Sequence, residues 1–376
     1  MQSHRPEPRI SSFELCHSLV IRIYSFVIVQ TILIIGQGLA GTALAWRLWE
    51  REVPFVIADR DEAVTCSKVA AGLITPITGM RLTVSWRYTM FYREALRFYR
   101  RCGQRLGQRC YFPRGYVRLL KNEAEIAKWH KRRRDPDMQP FLHPQPPKLD
   151  AEVIHDPANG FQQRHAAWLD TPTYLQASRS FFATLGAWTQ ADVQPTDIRD
   201  DDSGVHWNGQ HFSHVIWAQG WSAEKHPLFN WLPFQSARGT ILTVQADLQG
   251  EQRILNRACW LLPRQDGTLR AGSTYEWKFD DPHTPAADPL QQLEANLRSL
   301  LKAPATITSM QTAVRPIIKN QQALMGTHPA HPRVAFLNGL GSKGSLRSPW
   351  LARHLIEHLL DGTSLDPELD LQKNQV

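Results

Sequence analysis

The chain is poor in cysteine, and its cysteines form no pattern. Cys16, Cys66, Cys102, Cys110 and Cys259 are odd in number, scattered, and never paired as C-x-x-C. That argues against a secreted disulfide framework and for a reducing, cytoplasmic compartment. No zinc-type spacing links them to the fifteen histidines, so no metal is expected. There is no internal repeat and no low-complexity tract. Charged residues make up 21% and the apolar set 42%, which excludes a disordered chain, a collagen and a polytopic membrane protein. Long hydrophobic runs are lacking as well. Residues 19–35 (LVIRIYSFVIVQTILII) come nearest, but the run is 17 residues long and broken by Arg22, Gln30 and Thr31. It is too short and too polar for a membrane span. No small-residue cleavage site follows it, as a signal peptide would need. The expected reading is a strand at 31–35 behind a poorly ordered extension, residues 1–29. No Met separates Met1 from Met80, so a shorter start would need an alternative start codon.

What is present is length and a positive charge. At about 150 residues per domain, 376 residues make roughly two and a half domains. The net charge of +8 permits contact with nucleic acid, anionic lipid or acidic substrates without proving any. The unbroken apolar run at 31–35 reads as a strand buried on both faces of a parallel sheet. Residues 42–50 place Leu44, Ala45 and Leu48 on one helical face. A second apolar strand, 54–58, ends at Asp59. The unit is β-α-β. Helices are expected at 85–103, 122–134, 171–185, 290–301 and 348–360. Strands are expected at 114–120, 193–199, 205–207 and 214–218, then as short alternating segments between 239 and 273, and again at 308–315, 323–326 and 334–337.

The residues between the first strand and helix read Gly36-Gln37-Gly38-Leu39-Ala40-Gly41, a G-x-G-x-x-G in its required context. Gly36 permits the tight turn, Gly38 lets a pyrophosphate approach the backbone, and Gly41 lets helix and strand pack closely. The helix N-terminus supplies free N–H groups and a positive dipole end. Asp59, 21 residues after Gly38, is placed to bind ribose hydroxyls. Arg60 beside it hints at a 2′-phosphate, but the retained acid argues against NADP. The motif alone does not separate FAD from NAD. A second glycine-rich loop, NGLGSKGSLRSP at 338–349, opens the last helix.

With IIGQGLAG, SKVAAGLITP, VIWAQG, TAVRP followed by LMG, and NGLGSKGSLRSP in view, the sequence resembles the D-amino-acid oxidase-like family of FAD oxidoreductases over roughly residues 31–362. The resemblance implies FAD, with an α/β Rossmann-like cofactor domain on a parallel sheet and an α+β substrate domain on an antiparallel sheet. The cofactor domain is expected at 30–85, 155–225 and 327–376, and the substrate domain at 86–154 and 226–326. It further implies flavin contacts from Leu39, Ala40, Ser67, Ala71, Gly72, Leu73, Gly220, Gly339, Gly341, Ser342, Lys343 and Gly344, with Val193 at the adenine. Arg315, before Pro316, matches the arginine that clamps a substrate carboxylate. Its planar, permanent charge suits that role. Arg315, Lys343 and Tyr275 are the expected catalytic residues, with Trp260, Leu262 and Trp86 as candidate pocket walls. Cys66 and Cys259 are candidates to tether a flavin. Where relatives carry an acid and a proline after that arginine, this chain reads IIKNQQ, so the substrate is open.

No paired-carboxylate, Ser-His-Asp or Cys-His arrangement is evident, and flavin chemistry requires none. The expected activity is oxidation of the C–N bond of a small-molecule amino acid or N-substituted glycine, with dioxygen reoxidising the flavin. One rival is removal of a carboxymethyl group from a tRNA wobble uridine. Its support is the basic run KWHKRRR at 128–134, with Arg100, Arg101, Arg105 and Arg109 upstream. The other rival is a flavin-binding dehydrogenase component or partner subunit without amine oxidase activity.

Overall fold

The computed structural model describes residues 30–156 and 158–374. The extension expected at 1–29 lies outside them.

The apolar run at the start becomes the strand Ile32–Ile35, buried at every position. It sits inside a six-stranded sheet whose spatial order is Trp188–Gln190, Phe55–Asp59, Ile32–Ile35, His214–Trp217, His331–Asn338 and Leu324–His328. The strands are parallel except for the last pair. The chain leaves Ile32–Ile35 toward Phe55–Asp59 on one side, and later returns to pair it with His214–Trp217 on the other. The order therefore reverses at the first strand, and a crevice opens at the carboxyl ends there. The helix Leu39–Glu50 packs on this sheet with ten of its residues buried. Its Trp46 donates to Ser178 Oγ at 2.9 Å, tying it to the helix Thr171–Thr184.

A seven-stranded sheet faces the first. Its order is Thr306–Arg315, Ala237–Gln245, Leu269–Gly272, Cys259–Pro263, Ile254–Arg257, Tyr116–Leu119 and Gly160–Gln163. It is antiparallel apart from the pair Ile254–Arg257 with Tyr116–Leu119. One face packs on the helix Ala287–Leu300 through Leu293, Leu297 and Leu300. The other face carries Arg315, Ala313, Gly239, Ile241 and Trp260 to the crevice.

Some expectations shift. The strand expected at 193–199 is a 3-10 turn, Pro195–Asp197, with pairing only from Arg199. Proline at 195 removes a ladder donor. Gly160–Gln163 falls in the segment expected for the cofactor domain but joins the seven-stranded sheet. Leu324–His328 begins in the segment expected for the substrate domain but edges the six-stranded one. The helix Tyr88–Leu106, expected with the substrate domain, packs on the last helix, Gly344–Asp361, through Phe91 against Trp350.

Candidate active site

The carboxyl ends of four parallel strands converge on one elongated cavity of about 470 Å³. Ile35 is followed by residues 36–40, Ala58 by Asp59 and Arg60, Trp217 by residues 218–222, and Asn338 by Leu340, Gly341 and Ser342. All of these line it, as do residues 64–73 and the facing sheet.

The glycine turn explains its own sequence. A Cβ on Gly41 would stand 1.8 Å from the Gly36 carbonyl oxygen, so only glycine lets the helix start that close to the strand. The first amides of the helix have no carbonyl four residues behind them. Leu39 N donates to Ser67 Oγ at 3.1 Å, which brings the 65–73 segment over the turn. Asp59 is tied in from both oxygens, accepting from Gln37 N at 2.6 Å and from Asp61 N at 2.8 Å. Arg179 stands 3.7 Å from it and donates to Gln37 Oε1 at 3.1 Å. Arg60 pairs with Glu62 at 2.9 Å and reaches Ser222 Oγ at 3.3 Å.

At the other end, the long edge strand Thr306–Arg315 delivers Arg315, 9% exposed, to the cavity wall. Its Nη2 donates to Ser273 Oγ at 2.8 Å, and weaker contacts of 3.4 Å reach the carbonyls of Thr274 and Arg238. The Tyr275 ring lies 4.9 Å from the guanidinium carbon. None of the ion pairs among the described residues involves Arg315, unlike neighbouring Arg238, which is paired with Glu276 at 2.5 Å. A buried guanidinium facing a cavity without an anion is expensive unless a ligand supplies one. Cys66 lies on the same wall; burial pushes its thiol up, and Arg315 opposes that more weakly.

The expected site residues are mostly brought together. Gly36, Gly38, Leu39, Ala40, Asp59, Arg60, Ser67, Ala71, Gly72, Leu73, Gly220, Gly341, Ser342, Gly344 and Arg315 line the cavity. Gly41 and Gly339 stand just behind it. Val193 is buried in the core, and Ala191 reaches the wall instead. Lys343 caps the last helix without lining the cavity. Burial first, and Arg347 second, push its ammonium down to about 8. Tyr275 acts on the wall only through Arg315. Of the candidate pocket walls Trp260 is in place, whereas Leu262 is fully buried and Trp86 lies against Arg87 and Arg347. Cys259 is buried in the core behind the sheet.

Sequence reasoning passed over Gln37, Arg179, Ser273 and Asn338. Asn338 Nδ2 donates to the Gly220 carbonyl at 2.8 Å while its Oδ1 accepts from Gly339 N, locking two loops together. Its place at the end of an apolar strand was the available signal. Upstream of the basic run Arg101 pairs with Glu50 at 3.2 Å; within it Arg132 pairs with Asp135, and Lys128 donates to the Met80 carbonyl. Lys131, Arg133 and Arg134 are exposed.

Residues 31–358 match the family model for FAD dependent oxidoreductases. The chain belongs to that family. Among curated proteins, this FAD-dependent oxidoreductase is 25% identical over 354 residues to the tRNA 5-methylaminomethyl-2-thiouridine biosynthesis bifunctional protein MnmC of Marinobacter nauticus, covering 87% of this chain and 55% of that protein. It is 26% identical over 384 residues to the protein of the same name from an Azoarcus species, covering 90% and 58%. The chain thus spans a little over half the length of these relatives. Among solved structures it resembles glycine oxidase from Geobacillus kaustophilus, with a TM-score of 0.75 at 18% identity, covering 92% of this chain and 99% of that one.

The cavity suits FAD. Its glycine turn leaves no room for a Cβ at Gly41, the N-terminal end of the Leu39–Glu50 helix meets it at Leu39 and Ala40, and its lining extends from Ala58 and Ala191 to Ser345. No helix among the described residues is long and apolar enough to cross a membrane.

Proposed function

We propose that this FAD-dependent oxidoreductase acts on an amino acid or N-substituted glycine. The C–N bond is oxidised to an imine that water hydrolyses, releasing the amine and an oxo acid, and dioxygen takes up the electrons. When bound, the flavin supplies the two-electron acceptor that the side chains lack. Arg315 holds the substrate carboxylate, with Tyr275 covering one face of the guanidinium. The turn at 36–41 would hold the pyrophosphate at the N-terminal end of the Leu39–Glu50 helix, and Asp59, Arg60 and the backbone near Ala191 and Val193 would surround the adenosine. Ser67 and residues 71–73 would line the flavin ring. The loop 339–344 would present the N-terminus of the last helix to the part of the flavin that gains negative charge, with Lys343 adding its charge from behind the cavity wall. The chain divides into two domains, with Gly160–Gln163 in the substrate domain and Leu324–His328 in the cofactor domain.

The observation that carries this reading is the buried guanidinium of Arg315, facing the cavity without a carboxylate. Anaerobic titration of the yellow protein with a panel of amino acids and N-alkylglycines tests it. Bleaching by carboxylate-bearing amines, and not by the same amines without the carboxylate, is the expected result. A flavin that none of them bleaches would favour a non-catalytic partner subunit.

A second reading has its own support in the two curated relatives, whose names refer to tRNA modification. A carboxymethylaminomethyl group on a wobble uridine is itself an N-substituted glycine, so Arg315 would serve it equally. Salt-dependent tRNA binding that weakens when Lys131, Arg133 and Arg134 are neutralised would support this reading. No binding at low salt would dismiss it.

A further inference from the structure

After the strand Leu269–Gly272 the chain continues alongside Ala237–Gln245. Thr274 N donates to the Thr240 carbonyl, and Glu276 and Arg238 exchange backbone hydrogen bonds at 3.0 and 2.9 Å. Strand-like pairing sends alternate side chains to opposite sides. Thr274 and Glu276 go inward and are 5% and 6% exposed. Glu276 is fixed there by Arg238 and by the Thr274 hydroxyl. Ser273, Tyr275 and Trp277 take the other side. Ser273 lines the cavity and accepts from Arg315, Tyr275 lies on the Arg315 guanidinium, and the Trp277 ring is 4.9 Å from the Tyr275 ring.

The three groups form a ladder leading out of the cavity. Exposure climbs from 9% at Arg315 to 42% at Tyr275 and 53% at Trp277. Two adjacent large aromatics thus stand half in water on a segment whose inward side chains are locked. Because Glu276 is anchored, binding would not have to order the segment first.

We propose that Tyr275 and Trp277 form the outer half of the substrate site and take a flat aromatic ring carried on the amine nitrogen of an N-substituted glycine. This rests on the carboxylate reading of Arg315 above. Tyr275 occupies a face of the guanidinium, so the substrate carboxylate meets its edge. A substituent leaving the amine nitrogen toward solvent then runs past Tyr275 to Trp277. An arene and a nucleobase present the same π-face, and either stacks on these rings; an alkyl chain gains contact area without stacking.

The test uses the FAD-loaded protein and calorimetric titration with unreactive thioether acids, in which sulfur replaces the amine nitrogen and no imine can form. The probes are (methylthio)acetate, (benzylthio)acetate and [(uridin-5-ylmethyl)thio]acetate. The ring-bearing acids are expected to bind roughly tenfold or more tightly than the methyl acid. Trp277→Ala should erase most of that ratio, Trp277→Phe should keep it, and Arg315→Leu should weaken all three probes. Whether the benzyl or the uridine acid binds more tightly tells an arene substrate from a nucleobase one, and either ordering above the methyl acid supports the ladder. Equal binding of all three, or a Trp277→Ala effect of the same factor on each, overturns the ladder and leaves the carboxylate reading standing. Binding of none, or binding indifferent to Arg315→Leu, overturns both.

Discussion

Arg315→Leu separates a ligand-binding cation from a structural one. In the structure Arg315 makes one good hydrogen bond, to Ser273 Oγ at 2.8 Å, and three contacts at 3.4 Å to carbonyls, with no carboxylate partner. A side chain placed there to hold the fold would be paired, as Arg238 is with Glu276. Leucine removes a buried charge whose desolvation, at several kcal/mol, opposes folding, and loses one good hydrogen bond from a charged donor, worth about 1.5–3 kcal/mol. Without ligand, the thermal midpoint should therefore stay level or rise. Toward ligand the balance is opposite. Removing one member of a buried, hydrogen-bonded charge pair costs about 2–5 kcal/mol. A middle value of about 3 kcal/mol is roughly a hundredfold in dissociation constant. Calorimetric titration with (methylthio)acetate reads the affinity, scanning calorimetry of the ligand-free protein reads the stability, and flavin absorbance shows that FAD content is unchanged. An affinity loss below about tenfold, or a midpoint that falls steeply, would refute the reasoning.

Gly239→Ala should mimic that loss while keeping the charge, because its Cβ would stand 2.1 Å from both Arg315 Nη atoms and displace the guanidinium; the same titration checks it. Gly41→Ala should yield protein with little flavin, since the clash at 1.8 Å is with a backbone oxygen that cannot swing aside, and the ratio of flavin to protein absorbance reports it. His226, 3% exposed, is pushed down to about 4 by burial first and by His328 second. The unfolded chain binds a proton there below about pH 6.5 that the folded chain refuses. Stability should therefore fall by about 3 kcal/mol as the pH drops from about 6.5 to about 4. Denaturant midpoints across that range should flatten in His226→Leu.

The parts of the site that were legible in the sequence are those built from neighbours along the chain. The turn at 36–41 and the acid at Asp59 follow from strand, glycine and helix in succession, and the structure joins them by the bond from Gln37 N to Asp59. Arg315 was reachable only through a family resemblance, because its lack of a partner depends on what 238, 273 and 274 do. The side chain of Val193 joins the core and Ala191 lines the wall, while Pro195, which removes a ladder donor, leaves the segment outside any strand. Gly160–Gln163 was illegible as part of the facing sheet, because its partner is Tyr116–Leu119 and no local signal records that pairing. The half-exposed state of Trp277 is likewise a tertiary fact. Its alternation with Glu276 is visible in the sequence, but which of the two turns inward is decided by Arg238.

This division of labour bears on how the substrate can change. The turn, the acid and the last helix all belong to the parallel sheet, where each contact constrains another: Gly41 against the Gly36 carbonyl, Ser67 on Leu39 N, Asn338 on the Gly220 carbonyl. The proposed substrate wall belongs to the other sheet and its extension, where Gly239, Trp260, Ser273, Tyr275 and Trp277 project from separate strands and segments. A substitution at 275 or 277 alters an exposed ring without disturbing a backbone contact at the cofactor, whereas one at 41 cannot be confined. Variants that exchange one N-substituent for another should therefore cluster at 273–277 and in the strand Ala237–Gln245, and should retain flavin at full occupancy. Loss of flavin in a Trp277 variant would mean that the two walls are coupled through the 274–286 segment, whose Pro282 and His283 also touch the cavity.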